Sequence, residues 1–314
     1  MVPIVGKIEQ INVGWVDNSY VAFITAVTLA RHKLLTRKTK VNSFVVEPGK
    51  LWNSLPDNSN SVYYAVGGFS DSEIEPVLAK RCKVTIIGKL YGKRFGLLTK
   101  PTKIGSVKLY PVSKERQHGL EYLSVLTNYF KLNSETRFFL KLADMRSEML
   151  VVLAVTDSWV DAFKLLTSDE VVSTPDDVGK VLDYIKNTKN YEQVLKELTN
   201  SIKNSAVASG RSYVVLDLRN AGMSIKRAEV ISKYLFRDKK TLFLITKNSS
   251  EEEYTVGIVL RKNPIKVRLN TVLEILNSTL VQDRGSLKIL KCGISDWNDM
   301  VEKIDVVAKL LSLR

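Results

Sequence analysis

Length, composition and charge exclude several classes of protein at once. The 314 residues suffice for two domains with separate cores, and no apolar run approaches the roughly 18 residues of a membrane span. The N-terminus lacks the pattern of a signal peptide, so we expect a cytoplasmic protein. Cys82 and Cys292 lie far apart without metal-type spacing, which favours buried thiols in a reducing compartment.

The positive charge is large and unevenly spread. There are 47 Lys and Arg residues against 33 Asp and Glu, a net charge of +14. Between Lys80 and Arg116, eleven basic residues accompany a single acid, Glu115. Such a field favours a polyanionic partner, although an ordinary solvated surface is the alternative interpretation.

Strands and helices alternate in the first third of the chain. The pattern predicts a strand within 8–16, a helix over 20–35, a strand over 41–46 and a βαβ unit over 62–90. In that unit the strand 62–66 is closed by Gly67-Gly68, and Ser70 with Glu73 forms a capping box before a helix. This alternation predicts a mostly parallel sheet with right-handed crossovers.

The elements that follow are less regular at first. Short strands are predicted over 95–98 and 107–110, a helix over 115–132, and one broken helix or two helices over 138–158. Helical periodicity dominates 167–208, which we interpret as a connector. Residues 209–314 then predict a second, smaller α/β domain, with strands over 213–216, 241–246, 254–261 and 287–292 and helices over 224–235, 269–277 and 296–311.

The predicted strand ends carry few side chains that could act in catalysis or bind a metal. Ligands of open α/β sheets collect at the carboxyl ends of strands, but Gly67-Gly68 and Gly88-Lys89-Leu90 offer no carboxylate, imidazole or thiol. The histidines are His32 and His118, each within or at the start of a predicted helix. No phosphate-binding loop and no nucleophilic serine elbow occurs in the sequence.

The order and spacing of these elements resemble the DHH phosphoesterase family, and within it the archaeal proteins related to the RecJ nuclease and the replication factor Cdc-forty-five. The resemblance implies a DHH-type domain over 1–166, the helical connector, and a DHH-associated domain over 209–314. Most signature residues are replaced. The degenerate motif positions are Val16, Asn18, Val66, Gly88, Lys89 and Leu90, together with 283–286 near the end, while Asp157 matches a family aspartate.

These replacements shape the functional expectation. Two-metal hydrolysis needs several carboxylate and imidazole ligands, so we expect no catalytic residues, no metal, no cofactor and no enzyme activity. The resemblance then implies a non-catalytic, nucleoid-associated replication factor that associates with the GINS complex and the MCM helicase and contacts single-stranded DNA. The alternatives are an active RecJ-like exonuclease or phosphodiesterase, and a single-strand nucleic-acid-binding protein that acts alone.

Two basic runs are the candidate nucleic-acid contacts. The first comprises Lys89, Lys93, Arg94, Lys100 and Lys103, with Tyr91 and Phe95 interleaved as candidate stacking residues. The second comprises Arg261, Lys262, Lys266 and Arg268, which the resemblance places on the opposite wall of a groove.

Overall fold

A computed structural model describes residues 10–16, 19–37, 41–46, 50–55, 61–112, 119–168, 170–247, 253–261, 269–283 and 287–312. Within these residues the chain forms two sheets of six strands each, with helices between the strands. The predicted α/β fold class is confirmed. The chain divides into two compact units between Lys189 and Asn190, with residues 154–156 grouped with the second unit.

The first sheet is mostly parallel, as predicted. Its strands are β1 (Gln10–Val16), β2 (Val41–Val46), β3 (Ser61–Ser70), β4 (Lys83–Tyr91), β5 (Thr102–Ile104) and β6 (Val107–Pro111). They lie in the order β2-β1-β3-β4-β6-β5. Every neighbouring pair is parallel except β5 and β6, which form an antiparallel hairpin at one edge.

Seven helices of the described chain belong largely to the first unit. They are α1 (Tyr20–Arg37), α2 (Asp71–Val77), α3 (Leu120–Phe130), α4 (Thr136–Asp144), α5 (Arg146–Thr156), α6 (Trp159–Thr167) and α7 (Asp177–Thr188). α1 is buried on most of its surface, and its alanines at 22, 26 and 30 allow close packing on the sheet. Trp15 of β1 stacks on Phe163 of α6 with ring centroids 5.2 Å apart.

The predicted capping box at the start of α2 is confirmed. The Ser70 amide donates to Glu73 Oε2 at 2.8 Å, and the Ser70 hydroxyl also donates to that oxygen. With Ser70 as its N-cap, the helix begins at Asp71. The preceding strand β3 continues to Ser70, four residues beyond its predicted end at 66. Pairing between β3 and β4 accordingly continues to Ser70 and Tyr91.

The second sheet is mixed. The second unit contains α8 (Tyr191–Asn204), β7 (Ala206–Ser209), β8 (Tyr213–Asp217), α9 (Ile225–Leu235), β9 (Thr241–Lys247), β10 (Tyr254–Leu260), α10 (Leu269–Ile275), β11 (Ser278–Asp283), β12 (Leu287–Cys292) and α11 (Trp297–Ser312). The strand order is β11-β12-β10-β9-β8-β7, with only the β8–β9 pair parallel. Phe243, Val256, Leu290 and Met300 contribute to its core.

The boundary between the units falls inside the segment 167–208 that the sequence predicts as a connector. Helix α7 belongs to the first unit and α8 to the second. The three-part division at 166 and 208 stays a prediction. Among the described residues, no helix is long and apolar enough to cross a membrane.

Candidate functional site

The degenerate motif positions after β3 and β4 lie inside paired strands and not at their ends. Gly67 is the register partner of Gly88, and Val66 and Leu90 are buried. A Cβ atom at position 88 would lie 1.7 Å from the Gly67 carbonyl oxygen. The two backbones approach so closely here that residue 88 cannot carry any side chain without moving a strand.

The first turn of α3 covers this part of the sheet. The Tyr122 hydroxyl donates to the Gly67 carbonyl oxygen at 3.0 Å. Burial, aided by the neighbouring Tyr91 and Glu121, raises the pKa of the Tyr122 phenol, so the hydroxyl stays protonated as a donor. The Gly67 carbonyl oxygen, next to the motif position Val66, is therefore paired with a buried tyrosine.

Lys89 of β4 forms an ion pair with Glu121 of α3. Its Nζ lies 3.4 Å from Glu121 Oε1, and the two side chains are 25% and 11% exposed. Glu121 also accepts the Gly119 amide at 3.2 Å, which fixes its carboxylate. Lys89 remains a candidate phosphate contact, but the negative charge of Glu121 already compensates part of its positive charge.

The loop after β4 is held in shape by one carboxylate. Asp71, the first residue of α2, accepts the Arg94 amide at 2.8 Å and the Phe95 amide at 2.9 Å. These hydrogen bonds, that from Arg94 first, hold the pKa of Asp71 below its usual range. Gly92 has a φ of +111°, and a Cβ there would meet the Asp71 carboxylate at 2.2 Å. These bonds also explain why the strand predicted over 95–98 is a turn.

The predicted cations of this loop point to solvent. Lys93, Arg94, Lys100 and Lys103 are all exposed. Arg94 pairs with the exposed Glu75 at 3.5 Å and lies over the Phe95 ring, 5.0 Å from its centroid. Phe95 is buried and therefore a packing residue, while Tyr91 is 45% exposed.

The remaining predicted positions are scattered. Val16 is buried at the end of β1, and Asp157 is an exposed C-cap of α5 with a φ of 54°. Arg261 is half-buried and donates to the Lys233 carbonyl oxygen. Burial lowers the pKa of the Arg261 guanidinium, opposed by Asp238. Asn18, Lys262, Lys266 and Arg268 lie outside the described residues, as do residues 284–286.

The described donors do not fit the paired metal ions of the resembled nucleases. In the part of the chain that the structure describes, no three His, Cys, Asp or Glu side chains lie close enough to share an ion. A two-metal site would need more donors than this, arranged to hold two ions about 3.5–4 Å apart. Asp17, the carboxylate between the motif positions Val16 and Asn18, lies outside the described residues, as does His118.

Four residues of this region escaped the sequence interpretation. Glu121 and Tyr122 follow a helix start without any motif, so their contact with the sheet depends on the tertiary fold. Asp71 lay in a predicted helix start, where an acid is ordinary. Only Gly92 offered a signal, since a glycine between Tyr91 and Lys93 favours a tight turn.

Comparison with known proteins gives a fold but no sequence relative. No family model and no curated protein matches the chain. The structure of the pGpG-specific phosphodiesterase PggH from Vibrio cholerae matches with a TM-score of 0.51 and 10% identity, over 96% of this chain and 98% of that one. This likeness supports a fold of the DHH phosphoesterase type.

Two further solved structures align over most of their length. CDC45 from Entamoeba histolytica has a TM-score of 0.40 and 8% identity, over 94% of each chain. A putative family II inorganic pyrophosphatase from Methanococcus jannaschii has a TM-score of 0.26 and 13% identity, over 93% of this chain and 97% of that one. Scores this low support no conclusion about the present chain.

The comparison contradicts the expectation that the chain is not an enzyme. A solved structure that shares its fold over nearly its whole length is that of a phosphodiesterase. The loss of the family's motif residues is therefore an insufficient ground for excluding activity, and that conclusion from the sequence was wrong.

Proposed function

We propose that the chain is a replication factor of DHH-type fold that binds single-stranded DNA through a cationic segment, residues 80–112. The observation that carries the proposal is the charge of this segment. The segment contains no acidic residue. Its nine basic residues are Lys80, Arg81, Lys83, Lys89, Lys93, Arg94, Lys100, Lys103 and Lys108. All but Lys80 and Lys89 are exposed.

The geometry favours phosphate contacts along the loop after β4. Asp71 holds the loop backbone, so Lys93 and Arg94 project from a fixed turn. Because the backbone is already ordered, binding costs it little conformational entropy. Lys100 and Lys103 continue the exposed basic residues along the chain into the β5–β6 hairpin. Lys89 is the weakest member, because contact with phosphate would compete with Glu121.

The experiment measures the anisotropy of a fluorescent single-stranded oligonucleotide at several salt concentrations. Each lost phosphate contact should reduce the slope of log affinity against log salt by about 0.7, so Lys93→Gln, Arg94→Gln and Lys100→Gln together should flatten it by roughly 2. All sequences should be bound more weakly to the same degree.

A matched control changes the same charges elsewhere. Lys196, Lys203 and Arg211 are also two lysines and one arginine, all exposed. Their triple glutamine variant should keep the wild-type slope. Equal slopes for both triple variants would contradict the proposed interface.

Association with GINS and MCM is the partner half of the proposal. It is supported by the sequence resemblance to Cdc-forty-five-like proteins, and the basic surface suits assembly around DNA. Size-exclusion chromatography with purified GINS from the same organism tests it at micromolar concentration. Separate elution of the two proteins would contradict the proposed association with GINS and would leave the proposed DNA binding unaffected.

A second candidate function is phosphodiester hydrolysis, which the fold shared with a pGpG-specific phosphodiesterase favours. Incubation with pGpG and with a labelled oligonucleotide, each with added Mn²⁺ or with chelator, would detect it. Turnover that chelator abolishes would support hydrolysis. Oligonucleotide binding without turnover of either substrate would favour the first candidate.

A further inference from the structure

Two lysines face each other across the β5–β6 hairpin. In the antiparallel register Lys103 is the direct partner of Lys108, and both side chains are exposed. Side chains directly opposite in a sheet point to the same face, with Cβ atoms about 4.5–5.5 Å apart. On the other side of Lys108, β4 places Thr85 in the same row. The edge of the first sheet therefore presents two adjacent ammonium groups.

This pair is unfavourable for the protein alone. Like charges directly opposite in a sheet destabilise it. No acidic residue occurs between residues 80 and 112, and neither lysine forms an ion pair with any residue that the structure describes. The arrangement thus has an electrostatic cost that a bound anion would offset.

Three aromatic rings, one of them on the same sheet face as the lysines, lie next to the lysine pair along β6 and at the end of α3. Tyr110 is two residues beyond Lys108 on β6, and its ring lies 5.5 Å from that of Tyr129 and 4.9 Å from that of Phe130, at the end of α3. Tyr129 is 51% exposed, so part of its ring is open to a ligand. Cations beside an exposed aromatic ring are the usual elements of a single-strand binding surface.

We infer that Lys103, Lys108 and Tyr110 of the hairpin, together with Tyr129 of α3, form a single-stranded nucleic-acid subsite in which the lysine pair holds phosphate and Tyr129 stacks on a base. The inference rests on the proposed function and adds to it a location for base contacts. An acidic protein segment would suit the lysines but would gain nothing from the tyrosine ring.

The experiment again uses the full chain and fluorescent oligonucleotides. Lys103→Gln with Lys108→Gln should flatten the salt slope by about 1.4, which is 2 × 0.7. The same variant should melt at the wild-type temperature or above, because the repulsion between the lysines is removed. A binding loss caused by misfolding would instead lower the melting temperature.

Tyr129→Ala separates base stacking from charge. It should weaken binding about five-fold or more without changing the salt slope. Tyr184, which is 57% exposed on α7, offers a control of similar exposure, and Tyr184→Ala should leave affinity unchanged.

The outcomes distinguish the two proposals. If the wild-type chain binds no oligonucleotide, the proposed function fails. If it binds but the lysine pair and Tyr129 variants retain its affinity and slope, the subsite is wrong while the proposed function stands. If polyglutamate displaces the oligonucleotide at equal charge and Tyr129→Ala has no effect, the face binds acidic protein and the subsite is also overturned.

Discussion

The close approach of β3 and β4 predicts a severe effect of the smallest possible side chain at position 88. An alanine Cβ would lie 1.7 Å from the Gly67 carbonyl oxygen, whereas real Cβ contacts are essentially never shorter than 3.0 Å. The two strands would therefore have to separate locally by at least 3.0 − 1.7 = 1.3 Å. Gly88→Ala tests this directly.

The magnitude follows from what such a separation breaks. One or two hydrogen bonds of the ladder would be lost, at about 0.5–1.5 kcal/mol each. Overpacking of a buried site adds about 1–3 kcal/mol, so the free energy of unfolding should fall by about 1.5–6 kcal/mol. For a domain of this size, 1 kcal/mol corresponds to about 2–4 °C, which gives a loss of roughly 3–24 °C.

Thermal unfolding followed by circular dichroism is the assay. Gly179→Ala is the matched control, because its Cβ would meet nothing within 4 Å and it lies in helix α7 of the same unit. That control should gain about 0.5–1 kcal/mol. If Gly88→Ala melts within about 2 °C of wild type, less than the smallest loss worked out here, the strands have room for a side chain. A metal-binding residue at position 88 would then be structurally possible.

The remaining predictions concern stability and loop order. Glu135→Leu should lower the free energy of unfolding by about 3–5 kcal/mol. It removes a carboxylate 3.2 Å from Arg31 in a buried pair, and urea unfolding should show that adding Arg31→Met restores most of the loss. Hydrogen bonds, first that from Lys180, hold the pKa of Asp177 below its usual range, so its contribution is complete above about pH 4 and is lost as pH falls through the folded pKa. The melting temperature of Asp177→Asn should accordingly vary less than that of wild type between about pH 4 and pH 2. Asp71→Asn should speed hydrogen exchange in the loop after β4, measured by mass spectrometry, and an unchanged exchange rate would show that its carboxylate does not hold the loop.

Elements with a strong local signal could be predicted from the sequence. The capping box of Ser70 and Glu73, the apolar helix beginning at Tyr20 and the β-branched strand at 84–87 each satisfy a local rule, and all appear in the fold. The parallel sheet followed from their alternation. The short strands β5, β7 and β11 were missed, because strands of three to six residues leave little periodicity to detect. Helix α6 was also missed.

The site was harder to predict because its contacts are distant in sequence. Tyr122 and Gly67 are 55 positions apart, and nothing near either residue indicates that they meet. The lysine pair is different, since Gly105 and Ser106 separate Ile104 from Val107 as a two-residue hairpin turn. Recognition of that turn would have placed Lys103 opposite Lys108 from the sequence alone.

The two candidate functions place different demands on the first sheet. The resemblance would place the reactive groups of a hydrolase beside Gly67 and Gly88 of β3 and β4, where Tyr122 donates to the Gly67 carbonyl oxygen and Lys89 pairs with Glu121. Binding needs only accessible charge and an open aromatic ring, which the loop after β4 and the β5–β6 hairpin supply. Because these features occupy different parts of the sheet, charge variants at the hairpin should alter affinity without altering any turnover rate at saturating substrate. A proportional loss of both would mean that one surface serves both functions, and would favour the enzyme.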